Sequence, residues 1–194
     1  MEKLSREQLF PLEKYAQIRS DFRAKVMSHK RNRRLPVGPN ATLYFEDRLT
    51  VHYQIQEMLR AERIFEAEGI QEELDAYNPL IPDGSNWKAT FMVEFPDEEE
   101  RRVQLARLVG IETAIWARVA DMKPVTPVAD EDLERSTGDK TSSVHFLRFE
   151  LTSAMAEALK QGAPLAIGIA HPNYKYSCDP VPDNVRQSLV DDLS

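Results

Sequence analysis

The chain has 194 residues, 42% of them hydrophobic, with a net charge of -7 and a single cysteine. This length suits one well-cored globular domain with an extension. No run approaches the roughly 18 to 20 apolar residues that a membrane span requires, and the charged start MEKLSREQLF is not a secretory signal, so a cytoplasmic protein is expected. Cys178 alone excludes an internal disulfide and any all-cysteine metal or iron–sulfur site within the chain.

Charge is unevenly placed. Residues 1–40 carry ten Lys/Arg against four Asp/Glu, leaving fifteen against twenty-eight in the rest, so a basic arm precedes an acidic body. The arm opens with Ser5 and Gln8 in capping-box spacing, then a helix running from near Pro11 to about Lys30 with Leu12, Tyr15, Phe22 and Val26 inward. Lys30, Arg31, Arg33 and Arg34 follow. Their cations suit the negative end of a helix dipole, and with the acidic body beyond them no nucleic-acid partner is expected. LPVGPN reads as a turn-rich break.

Residues 46–66, EDRLTVHYQIQEMLRAERIFE, predict a helix with two polar stripes, Arg48/His52/Gln56/Arg60/Arg63 and Glu46/Thr50/Gln54/Glu57. Between them lie two apolar flanks, Val51/Ile55/Met58/Phe65 and Leu49/Tyr53/Ile64. Such a helix wants burial twice. A short helix over 71–77 and the loop YNPLIPDGSNW complete an N-terminal helical region, residues 1–84.

From residue 85 the period changes to two. Strands are expected over 87–95, 111–119, 143–151 and 165–171, with helices after Asp97 and after Thr152 or Ser153, closed by Gly110 and Gly162. That order predicts an α+β, ferredoxin-like βαββαβ core over residues 85–194, with an antiparallel sheet in order 4-1-3-2 and a C-terminal tail. Both helices would cover one face, leaving an ionic face on which Glu150 nears Lys88, Arg148 nears Glu112, and Arg118 lies towards Glu94. Docking helix 46–66 there would gather His52, Glu57, Arg60, Arg118, Arg148 and Glu150, as an ion-pair network fixing the docking or as a small-anion or catalytic site.

Metal chemistry finds little support. His145 and His171 fall at opposite ends of the expected sheet, roughly 20 Å apart at strand rise, and no Glu-x-x-His pair or His-x-x-x-His is present. Cys178 has neither a glycine-rich elbow nor a helix start to make a thiolate. No cofactor is expected. The long loop DMKPVTPVADEDLERSTGDKT suits a lid or a partner-binding segment.

RRLPVGPN, TVHYQIQEMLRAERI, ELDAYNPLIPDG, ADEDLER and KTSSVHFLRFEL together resemble a bacterial family of unknown function, DUF3501, over almost the whole chain. The resemblance implies a setting beside a rubrerythrin and a heterodisulfide-reductase-like iron–sulfur protein, and hence a non-catalytic accessory role in a redox or peroxide-stress system. It carries no catalytic residue onto this sequence.

Overall fold

A computed structural model describes residues 2–194. Helix α1, Leu12–Arg31, leads into a hairpin of β1, Arg34–Pro36, and β2, Ala41–Glu46; α2, Arg48–Ala61, and α3, Ala67–Tyr77, follow. Next come β3, Asn86–Val93, α4, Glu98–Arg107, and β4, Ile115–Val119. The chain ends with β5, Val128–Ala129, β6, Val144–Glu150, α5, Ser153–Lys160, β7, Leu165–His171, β8, Tyr174–Cys178, and α6, Asp183–Val190. No helix among the described residues is long and apolar enough to cross a membrane.

The α+β class holds, and the expected sheet does not. Two antiparallel sheets form, one in order β1-β2-β3-β6-β5 and one in order β4-β7-β8. The central pair β3–β6 is the one expected, but β7 pairs with β4 and not with β3. Physically, the edge of β3 is already taken by β2, whose Ala41, Leu43 and Phe45 alternate inward beside Val93, Phe91 and Ala89. LPVGPN is therefore a hairpin turn rather than a break between regions. Gly38 adopts φ 81° there, and a Cβ would stand 2.6 Å from the Tyr174 hydroxyl and the Tyr176 ring, so this turn position suits glycine alone. The hairpin also means that residues 1–84 are not purely helical, because residues 34–46 belong to the main sheet.

The inner sheet faces share one apolar core. Phe45, Trp87, Phe91 and Phe149 meet Ile115, Ile167 and Ile169, and Leu159 of α5 and Leu189 of α6 join the same core. Trp87 is fully buried and its indole N–H donates to the Leu189 carbonyl at 2.9 Å. A second core, Leu4, Val51, Ile55, Leu59, Leu74 and Ile81, holds α2 to α3 and the N-terminal segment. One flank of α2 is thus spent on its helical neighbours. Asp47 caps α2 through Thr50, Asp97 caps α4 through Glu100, and Thr152 caps α5 through Met155.

Candidate functional site

Alternation along β2, β3 and β6 sends every second side chain to the outer face of the larger sheet. In register, Glu46, Lys88 and Arg148 form one row there, Tyr44, Thr90 and Phe146 the next, and Thr42, Met92 and Val144 a third. The helical region crosses above without filling the space. One cavity of about 380 Å³ has Lys30, Val51, Gln54 and Tyr77 as its roof and Tyr44, Thr90, Met92 and Phe146 as its floor. An adjoining one of about 500 Å³ lies between Tyr77, Pro79 and Leu80 on one side and Lys88, Phe146, Arg148, Glu131 and Asp132 on the other. Sharing Tyr77, Leu80 and Phe146, the two make one groove that is aromatic and apolar over most of its area but is also lined by the charged Lys30, Glu46, Asp75, Lys88, Glu131, Asp132 and Arg148.

Charges in the groove are not evenly satisfied. Arg148 is held by Glu131 through two bonds of 2.7 Å and also by Glu150. Glu46 accepts from Thr50 at 2.6 Å and Thr90 at 2.9 Å. Lys88, half-buried between them in the register, has no ion pair or hydrogen bond among the described residues. Burial, and then the Arg148 charge, push its ammonium below the usual lysine range despite the carboxylates of Glu131, Asp83 and Glu150.

The expected six-residue constellation does not assemble. Glu57 turns to α1, where it accepts from Tyr15 at 2.6 Å and takes a two-bond pairing from Arg19 at 2.8 and 2.7 Å. Those donors hold its carboxyl down at about 2, with the Arg19 bond the largest cause. His52 stacks on Phe10 with ring centroids 5.2 Å apart and stands edge-on to Phe22 at 5.3 Å; its buried Nε2 has no hydrogen-bond partner among the described residues, and burial lowers its pKa. Arg60 lies on the exposed outer side of α2, in a concavity with Arg19 and Arg23. Arg118, on the second sheet, pairs with Asp179 at 2.7 Å and covers Trp116. Only Arg148 and Glu150 meet, and of the six only Arg148 lines the groove. The causes are separate: Glu57, His52 and Arg60 are taken up within the helical region, Arg118 lies on the other sheet, and in the β3–β6 register Lys88 faces Arg148 while Asn86 faces Glu150. Glu112, expected near Arg148, sits instead in the 3-10 turn Ile111–Ala114.

Two polar clusters are not apparent from the sequence. His145, 0% exposed, bonds Asp130 through Nδ1 at 2.6 Å and Thr141 through Nε2 at 2.8 Å; Thr141 in turn reaches Glu112 at 3.3 Å. This pins the long loop after β5 beneath the sheet and so sets the Glu131 wall of the groove. Arg33, 2% exposed, bonds Asp192 at 2.5 and 3.2 Å, the Phe45 and Glu46 carbonyls, and Ser188, while Asp47 lies 3.4 Å away and is itself paired with His29. Alternation of RRLP marks Arg33 and Leu35 as inward, which is the available signal for Arg33.

The chain matches the family described as protein of unknown function (DUF3501) over residues 3–193. It belongs to that family. A crystal structure of a novel protein of unknown function from Burkholderia pseudomallei K96243 is 52% identical over 100% of both chains, with a TM-score of 0.94. A search of curated proteins finds no match. The fold of this DUF3501 chain, with its paired sheets, is therefore shared with that protein, whose own description assigns no activity.

Proposed function

We propose that this DUF3501 protein is a non-catalytic, cytoplasmic binding protein that takes a small carboxylate with an apolar body into the groove between the helical region and the outer sheet face. The observation carrying the reading is Lys88, a half-buried cation left unpaired in a ligand-sized, aromatic-lined space. Its ammonium has no ion pair among the described residues, and a bound carboxylate would supply one. Tyr77, Leu80 and Phe146 would take the apolar body. On the family resemblance, the partner served by this binding is a rubrerythrin or a heterodisulfide-reductase-like iron–sulfur protein.

The test uses 3-phenylpropionate, one carboxylate on an aromatic body. It should raise the melting temperature in a saturable way, as any ligand of the native state does, and Lys88→Glu should weaken binding by about tenfold or more, the factor for 1.4 kcal/mol. No shift at millimolar ligand sinks the binding role, and affinity purification from the native host without an iron protein sinks the redox assignment.

A further inference from the structure

Resting on that groove reading, we propose that the ligand is an apolar 2-oxo acid, held by Lys88 as a reversible imine. Three features of the groove point there. Lys88 stands on the cavity floor with no carboxylate in ion-pair reach among the described residues, since Glu46 is engaged by Thr50 and Thr90, Glu131 and Glu150 by Arg148, and Asp83 by Ser85 and Asn86. Directly opposite in the β3–β6 register is Arg148, and like charges so placed disfavour one another. The group able to give way is the ammonium, because a guanidinium does not lose its proton at accessible pH. Apolar walls act in the same direction. A lysine desolvated beside a second cation is the arrangement that frees an amine nucleophile for carbonyl compounds, and the lowered Lys88 pKa agrees with it.

The ligand class follows from what stands beside the amine. The Lys88 nitrogen pair attacks the carbonyl carbon, the C–N bond forms, and the carbonyl oxygen leaves as water with two protons from the amine, giving a C=N link with no oxidant or reductant involved. A carboxylate adjacent to that carbonyl answers Lys30, a cation of the adjoining cavity with no ion pair among the described residues. Tyr44, Tyr77 and Phe146 favour an aromatic or branched apolar remainder.

Phenylpyruvate and 3-phenylpropionate, which lacks the carbonyl, separate this proposal from the groove reading. The full chain is incubated with each, treated with borohydride, which delivers hydride to a C=N carbon, and digested for peptide mapping by mass spectrometry. Phenylpyruvate should leave one reduced adduct on the peptide containing Lys88, 3-phenylpropionate none, and Lys88→Arg should lose the adduct. Melting-temperature shifts with both acids and no adduct on Lys88 overturn the imine and leave the groove reading standing. No shift and no adduct with either acid overturn both. Adducts spread over exposed lysines such as Lys3 and Lys175 also overturn the imine. Since the map is made on the parent chain, it decides the matter even where the Lys88→Arg variant does not fold.

Discussion

At the scale of single residues, the clearest departures from sequence expectation are changes of partner. Glu57, expected at the sheet, instead joins α1 to α2 through Tyr15 and Arg19. Its carboxyl falls from an ordinary 4.5 to about 2 in the folded chain, so the pairing stabilises fully above about pH 4.5 and is lost as pH falls towards 2. Glu57→Gln should therefore melt below the parent at pH 7, and the gap should close across that acid window in paired thermal scans; a constant gap would mean the carboxylate charge is not what matters. His52 shows the limit of periodicity. Helical spacing places it on a polar stripe, yet Phe10 and Phe22, distant in sequence, enclose its ring. Lys88 is inconspicuous in the sequence for a related reason: a lysine on the polar side of an alternating strand looks solvated until the strand register supplies its neighbours.

At the scale of elements, local signals serve well where they are sufficient. Period-two alternation and caps locate β3, β6, α4 and α5 within a residue or two, because both follow from backbone geometry alone. Asp97 is the cleanest instance, exposed and bonded to the Glu100 amide at 2.8 Å. Asp97→Ala should cost about 1 kcal/mol in urea unfolding, the usual value of an N-cap; a change below a few tenths would show that α4 is held from elsewhere. Four strands escape, and β1 and β5 do so because they are only three and two residues long. β2 runs straight into a capped helix, so the two periods overlap, and β8 resembles a tail because Tyr174 alone of its five residues is buried. Without β2 the edge of β3 looks open, and the expected order places β7 there. Strand order is a non-local choice that local periodicity does not encode.

At the scale of the whole molecule, Arg33 joins segments 159 positions apart, linking the start of the main sheet to Asp192 just beyond α6. Removing one partner of a buried charged set strands the others. Arg33→Ala leaves Asp192 buried without its cation and Asp47 with His29 alone, and should cost about 3 to 5 kcal/mol; equilibrium denaturation giving less than about 1 kcal/mol would show that water or rearrangement takes over its role. The location of a groove between helix 46–66 and the sheet is legible in the sequence, since a twice-amphipathic helix must meet something. Its chemistry is not, because it depends on which carboxylates are already engaged, and that is settled only by the register of β2, β3 and β6.

The closing helix has a consequence for synthesis. Trp87 finds its hydrogen-bond partner only in Leu189, Arg33 finds Asp192, and the amide of Ser194 reaches back to Gly84. While residues 183–194 are still inside the ribosome, the core lacks the cover that Val185, Leu189 and Leu193 supply and Arg33 lacks Asp192. Such a nascent chain is an open substrate for chaperones and proteases. A chain lacking residues 183–194 would thus lose these contacts and be exposed to degradation.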